Sequence, residues 1–414
     1  MPTNWAGSHE YTGRVREPST VAELQELVAS ASAVRALGTR HSFTDVADTA
    51  GDLVSTLGLP PTVEVGDDTV RVAAGVRYGE LALALHERGR ALATMASLPH
   101  ISVGGAVATG THGSGDRTGS LAAAVRGIEY VGADGELHSV ERGEPDFAGH
   151  VVAVGALGVT THLTLDVEPA YDVRQDLYTD LPWDTALADL DAVTGSAASV
   201  SLFTRWTNGR VDQAWLKSRD TTPPPDLLGA APATTTLHML AGADVAAVTR
   251  QGGVPGPWHR RLPHFRLDFT PSRGEELQSE YLLPRARAAD AVDALRGLAP
   301  SFVDLLQVSE VRTVAADDLW LSGAYAGDAV ALHFTWVRDR PGVYAALPAI
   351  EAALLPLGAR PHWGKCFLAT ADQVAPAYPR LADFRALAER LDPERKLRNE
   401  FLARHLGLAG RTES

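Results

Sequence analysis

Ala36–Phe43 reads A-L-G-T-R-H-S-F, where a short apolar run (Ala33, Val34, Ala36, Leu37) opens into a turn of Gly, Thr and Ser. Such a turn gathers several backbone N–H groups into one concavity, an arrangement suited to phosphate oxygens. His41 stands at its mouth, placed to act as a nucleophile or as a polar contact. An isolated Gly-Thr turn usually does no more than join two elements. This one gains weight from a second stretch sixty residues on, Leu98 to Gly115, reading L-P-H-I-S-V-G-G-A-V-A-T-G-T-H-G-S-G. Five glycines and four hydroxyl residues fall between positions 102 and 115. Glycine at this density costs chain entropy and lets backbone approach a bulky ligand or another segment closely. The plainer reading is a tight chain crossing in a core.

Two nucleotide-binding motifs fail here. Gly105 and Gly110 have P-loop spacing, but Thr111-His112 occupies the place of Lys-Ser/Thr. No G-x-G-x-x-G follows a strand, so the dinucleotide fingerprint is missing. A cofactor held by these loops is therefore neither a P-loop triphosphate nor a Rossmann-bound nicotinamide.

The two glycine stretches together resemble the FAD-binding domain of the vanillyl-alcohol-oxidase (PCMH) type of flavoprotein. The likeness is to its alditol (xylitol) oxidase group, neighbours of the aldonolactone oxidases. It runs through Asn4-Trp5-Ala6-Gly7, G-T-R-H-S-F, the long glycine stretch and H-W-G-K at His362–Lys365. The resemblance implies an α+β protein with a two-part FAD-binding domain and an α+β substrate, or cap, domain. It divides the chain into 1–170 (FAD), 171–369 (cap) and 370–414, a segment returning to the FAD domain, where L-D-P-E-R-K-L-R-N-E-F is similar to the family's terminal signature. It further implies that His41 is bonded covalently to the 8α-methyl carbon of the isoalloxazine. Ala36, Leu37, Gly38, Thr39, Arg40, Ser42, Ser102, Val107, Gly110, Thr111, His112, Gly113, Val159, Thr335 and His362 are the other expected cofactor contacts.

Composition fits this picture. A chain of 414 residues has room for two or three domains. A net charge of −14 argues against nucleic acid or an anionic membrane as partner. The single cysteine, Cys366, allows no intrachain disulfide and fits a reducing compartment. No basic-then-apolar leader opens the sequence, and no apolar run reaches the ~20 residues of a membrane helix. The expectation is a cytoplasmic protein, monomeric by analogy with its relatives. The histidines form no H-E-x-x-H or other close ligand pair, so no metal is expected.

Along the chain, Thr20-Val21-Ala22-Glu23 reads as a capping box before a helix through Val28. Strands are expected at Val34–Leu37 and Thr69–Ala74, a helix at Tyr78–Arg88, and a hairpin from Val125–Val131 and Leu137–Val140 about Gly132-Ala133-Asp134-Gly135. Val151–Val167 reads as a long β-rich run. Beyond Tyr171, the proline runs at Thr221–Pro225 and Pro255–Pro257 read as loops. Strands are expected at Ser199–Trp206, Gln213–Lys217, Leu305–Val311 and Val330–Trp336, and a helix at Arg285–Leu298.

Glu310 and Arg312, two apart in a strand, project from one face, as do His333 and Thr335 in the next. Unaided, such pairs read as a solvated sheet face or a simple ion pair, Lys365 as an exposed lysine, and the histidines as hydrogen-bonded structural groups. The resemblance changes that. It puts Glu310, Arg312, Lys365 and Ser102 at the polyol-holding positions, with Ser102 also touching the flavin. Arg312 and Lys365 are then expected to polarise the C1 hydroxyl, Glu310 to anchor C2 or C3 hydroxyls, and His333 or Lys365 to take the proton. O₂ is the expected electron acceptor, giving H₂O₂ and an aldose. Two other readings compete: an aldonolactone oxidase or dehydrogenase on the same fold, and a flavin carrier without turnover.

Overall fold

A computed structural model describes residues 2–220, 226–269 and 274–410. It is an α+β fold built on three main sheets. Arg14–Arg16, Asp52–Ser55 and Val34–Leu37 form a small parallel sheet in that order. Val63–Val65, Thr69–Ala73, Val159–Asp166, Val125–Val131 and Leu137–Glu141 form an antiparallel sheet of five. The expected hairpin is its edge. Everything in the third sheet, of nine strands, comes from residues 172–361. Its central strands are Ser199–Thr204, Leu306–Val314, Ala329–Val337 and Glu276–Pro284, side by side and antiparallel.

Local chemistry sets the elements. The Thr20 hydroxyl accepts from the Glu23 amide at 3.1 Å and starts the helix Val21–Ser30. The Glu23 carboxylate reaches back to the amide of Ser19, one residue beyond the usual capping-box partner. Leu24 and Val28 on its inner stripe pack against Val34, Val54 and Val159. In the nine-stranded sheet, side chains alternate between two faces. Phe334 and Trp336 point one way, stacked at 5.0 Å with Phe302 edge-on to both. The helices Ala288–Leu298 and Arg340–Leu354 share that apolar core. His333 and Thr335 point the other way, toward the small and five-stranded sheets.

Four sequence expectations change. The β-run expected over Val151–Val167 is a helix Phe147–Val151, a turn, and a strand confined to Val159–Asp166. Positive φ at Val154, Gly155 and Gly158 interrupts the extended chain. The glycine stretch contains a six-residue helix, Val103–Ala108, with Ser102 as its N-terminal flank. Gly104 there does serve as a chain crossing: a Cβ on it would lie 2.8 Å from that of Ala74. Gly256–Pro257 is a two-residue edge strand against Asp172–Val173 rather than loop; at an edge, proline's missing N–H costs no ladder bond. The helix expected from Arg285 opens with a 3₁₀ turn, Arg285–Arg287, and is α-helical from Ala288. The proline run at 221–225 lies outside the described residues.

Residues near the C-terminus pack on the first glycine turn. The Asn399 amide donates to the carbonyls of Asp45, Val46 and Asp48 at 2.9–3.1 Å. The Val34 amide donates to Lys396 O. Arg35, buried, donates to the carbonyls of Val154, Gly155 and Leu397 at 2.7–2.9 Å, tying two distant segments to one strand. Each charge-assisted bond to a carbonyl is about twice as strong as a neutral one.

Candidate active site

The four stretches that carried the resemblance meet at one cavity. The Trp5 amide donates to Arg40 O at 2.8 Å, and the Asn4 side chain donates to Ser42 O at 2.9 Å. The Ser102 amide donates to the Thr39 hydroxyl at 3.1 Å, and the Phe43 amide to Gly364 O at 2.8 Å. Trp5 stacks on His41, ring centres 5.4 Å apart. The cavity they enclose, about 320 Å³, runs from the Ala36–Phe43 turn across the Ser102 helix to the polar face of the nine-stranded sheet.

Its walls include Ala36, Leu37, Gly38, Thr39, Arg40, His41 and Ser42 from the first turn, and Ser102, Thr111 and His112 from the second. Glu310, Arg312, His333, Thr335, His362 and Lys365 complete it from the sheet side. Four expected cofactor contacts do not line it. Val107 and Val159 are buried in apolar cores. Gly110 is a left-handed turn residue at φ 67°, and Gly113 packs against the side chain of Thr94 and the backbone of Met95. Cys366, buried, is also absent from the wall.

The centre of the polar face is a residue not singled out in the sequence, Glu280. The Arg312 guanidinium donates to its Oε1 at 2.5 Å, and Lys365 Nζ to its Oε2 at 2.5 Å. His112 Nε2 lies 3.3 Å from Oε1. Strand register explains the convergence. Glu280 pairs with His333, and His333 pairs with Glu310, so three adjacent strands place Glu-His-Glu in one cross-strand row. Arg312, two residues on from Glu310, reaches diagonally back to Glu280.

Charge states follow from burial and these partners. Burial alone would raise the Glu280 carboxyl, but Arg312, Lys365 and His112 outweigh it and hold it well below the ordinary range. For Glu310, burial is likewise outweighed by Arg312 and His264, which keep it ionised. Arg312 is held charged by the two carboxylates against burial. Lys365 is lowered by burial, with Glu280 opposing. The cluster is thus two carboxylates and two cations, neutral overall, on a largely buried wall of the cavity.

The histidines are neutral acceptors or donors. Burial, and then Lys365, push His333 down to about 4. Lys365 Nζ donates to its Nδ1 at 2.8 Å, which leaves Nε2–H to donate to the Thr335 hydroxyl at 3.1 Å. His362 accepts the Gly364 amide at Nδ1 (3.1 Å), and burial holds it well below its ordinary pKa. His41 is lowered by burial to about 4, and its Nδ1 is buried with no hydrogen-bond partner. A buried orphan nitrogen is costly. It marks a place where a bound group supplies the missing contact.

The residues present fit FAD. The neutral His41, with its Nδ1 unpartnered, lines the cavity from the first turn. A Cβ at Gly38 would sit 2.5 Å from the Ser102 hydroxyl, so the two loops approach as only glycine permits. Among the described residues no group of three or more His, Cys, Asp or Glu is arranged to hold a metal ion, and no helix is long and apolar enough to cross a membrane.

Comparison with known proteins agrees with this geometry. The FAD binding domain family matches residues 13–141, and the D-arabinono-1,4-lactone oxidase family matches residues 271–405. The chain is 52% identical over 408 residues to alditol oxidase of a Streptomyces species, covering 97% of each. It is 27% identical over 436 residues to L-gulono-1,4-lactone dehydrogenase of Mycobacterium tuberculosis, covering 98% of this chain and 99% of the relative. Cholesterol oxidase from B. sterolicum has the same fold, with a TM-score of 0.77 at 16% identity over 97% and 95% of the two chains.

Proposed function

This chain belongs to the alditol oxidase family of FAD-dependent oxidoreductases, and from that premise we propose that it oxidises xylitol, sorbitol and similar alditols at the terminal C1 hydroxyl. Residues 1–170 with 370–414 form the FAD-binding part in this reading, and 171–369 the cap. Bound FAD would supply the hydride-accepting N5, with O₂ as the final electron acceptor and H₂O₂ and an aldose as the products. The protein works in the cytoplasm as a monomer.

The observation that carries the reading is Glu280 gripping Arg312 and Lys365 on the same wall of the cavity that His41 and Ser102 face. A neutral cluster suits a neutral substrate: its carboxylates accept hydroxyl protons in hydrogen bonds, and its cations donate to hydroxyl oxygens. Glu310 and Ser102 hold the hydroxyls along the chain. Arg312 and Lys365 meet the C1 oxygen, where negative charge develops as hydride leaves. Fixed donors in a dry site need no reorganisation at that moment. The C1 hydroxyl proton leaves through Lys365 and His333: the Lys365 ammonium gives a proton to His333 Nδ1, turns the freed lone pair toward the substrate and takes up the hydroxyl proton in its place. Ser102, Thr335, His362 and the turns around Gly38 and Thr111 hold the cofactor.

This proton path has a pH signature. His333 works as acceptor only when neutral, so its lowered pKa extends the competent range toward acid. For xylitol, kcat/KM should stay level from about pH 7.5 to about pH 5.5 and fall toward pH 4, instead of breaking near ~6.5 as an ordinary histidine would. At alkaline pH it should fall before the ordinary lysine range, because Lys365 loses its proton early. An acid break between about 6 and 7 removes His333 from the path.

His41 is the proposed point of covalent attachment to FAD; its support is the buried, unpartnered Nδ1 of a neutral ring. Acid-precipitated wild-type protein should stay yellow, and His41→Ala should release all its colour to the supernatant. Wild-type protein bleached by the same treatment contradicts the attachment.

The lactone-oxidising relatives make one second reading specific. Peroxide release on xylitol or sorbitol, compared with galactono- or gulono-lactone, separates the two. Faster turnover of a lactone overturns the alditol reading.

A further inference from the structure

Beside Glu310, on the side away from Arg312, runs a second buried polar chain that the reaction above does not use; its first member, His264, also lines the cavity. His264 Nε2 lies 2.7 Å from Glu310 Oε1. Lys217 Nζ lies 2.9 Å from His264 Nδ1, and its other contacts are the carbonyls of Leu262 at 2.5 Å and Pro263 at 3.2 Å. Lys217 is 1% exposed, in the interior of the strand Arg210–Ser218. A buried ammonium must be fully hydrogen-bonded to be tolerated. Here three acceptors surround a group with three N–H donors: two are carbonyls, which only accept, and the third, His264 Nδ1, is bare as long as Nε2 carries the proton that the Glu310 carboxylate accepts.

This arrangement fixes the imidazole. With Lys217 donating to Nδ1, the ring proton sits on Nε2 and points at Glu310. The ring cannot turn away, because Phe203 and Trp215 meet it edge-on at 5.6 and 5.3 Å. Its own backbone is held by Ser97 O and by the Thr249 amide. The chain ends on backbone carbonyls, so it can hold a proton in place but has no onward acceptor to carry one away.

We infer that Lys217 and His264 are positioning residues for substrate recognition: they lock Glu310 as an ionised, oriented acceptor for a hydroxyl of the polyol beyond C1. This rests on the alditol reading above. Glu310 has one oxygen occupied by His264, while Oε2 is 3.6 Å from Arg312 Nε and keeps lone pairs for the cavity. Without Lys217, His264 gains a second tautomer that turns a lone pair toward the carboxylate. The repulsion then moves Glu310 or protonates it, and a hydroxyl loses its acceptor.

Nitrogen NMR of the holoenzyme reads the tautomer directly and independently of turnover. His264, assigned by its loss in His264→Gln, should show protonated Nε2 and bare Nδ1; Lys217→Met should average or reverse them. Steady-state kinetics on xylitol reads the consequence. His264→Leu and Lys217→Met should raise KM by about tenfold to a hundredfold, the loss of one hydrogen bond to a charged group, with kcat within about threefold. His264→Gln, whose amide donates to Glu310 and accepts from Lys217, should restore KM to near wild type. Thermal midpoint and bound flavin identify a variant that has simply not folded, and Lys217→Met then carries the test. A protonated Nδ1 in the wild type, an unchanged KM in Lys217→Met, or equal losses in the Leu and Gln variants overturns the inference. A wild-type enzyme that no alditol reduces strikes the alditol reading instead, and leaves the tautomer result standing by itself.

Discussion

Replacing Lys365 by Met should slow anaerobic flavin reduction by xylitol by about a thousandfold while leaving FAD content unchanged, because it removes a fixed donor from the oxygen on which charge develops. Lys365 is well placed for this. Glu280 and His333 hold its ammonium from two sides at 2.5 and 2.8 Å, so its third N–H is left for the substrate without a search over rotamers. Arg312→Met should cost at least as much. It also strips Glu280 and Glu310 of their shared cation, leaving two buried carboxylates with fewer partners. Stopped-flow reduction is the measurement, since it separates this step from reoxidation. Wild-type rates in both variants would remove the pair from the chemistry.

The second large effect belongs to stability. Glu280→Gln should lower the unfolding free energy by about 3–5 kcal/mol, the cost of stranding buried charges by deleting their partner. Arg312 and Lys365 would face each other across a neutral amide on a largely buried wall, where water can compensate only from the cavity side. A surface pair gives the control. Arg71 and Glu64 lie 3.3 Å apart with the carboxylate largely exposed, and Glu64→Gln should cost no more than about 1 kcal/mol. Thermal or denaturant unfolding of the three proteins, each carrying its flavin, checks the contrast. The Glu280→Gln enzyme should also reduce its flavin slowly, because Lys365 loses its anchor. An unfolding midpoint equal to wild type would show that Glu280 is not the hub of the cluster.

The sequence carried a good deal of this site and hid a definite part of it. The two loops were readable because their information is local: glycine where backbones must pass closely, and hydroxyls beside it; the roles of His41 and Ser102 came from the family resemblance. A strand's period of two put Glu310 with Arg312, and His333 with Thr335, on one face each, and the family resemblance put those faces at the site. Glu280 was not, although E-L-Q-S-E over Glu276–Glu280 shows the same alternation and could have flagged it. Its importance comes from register. Only when Glu276–Pro284 pairs with Ala329–Val337 does Glu280 fall opposite His333, and chain order gives no hint that the strand lies on that side. His264 was hidden for a different reason. It sits in a coil, R-L-P-H-F, with no periodicity, and its role depends on a lysine 47 residues earlier in the chain. The misread run over Val151–Val167 fails by another route. Its valines favour strand, but Val154, Gly155 and Gly158 turn into positive φ, with Arg35 bonded to the Val154 and Gly155 carbonyls. A contact from 120 residues away overrode local preference.

The flavin spectrum, recorded on purified protein without oxygen before and after xylitol is added, tests the central claim most directly. The expected result is a yellow protein whose long-wavelength absorbance bleaches on addition and returns when air is admitted, with peroxide appearing as it does. A protein that is colourless even when supplied with FAD, or a flavin that stays oxidised in the presence of xylitol and other alditols, would contradict it.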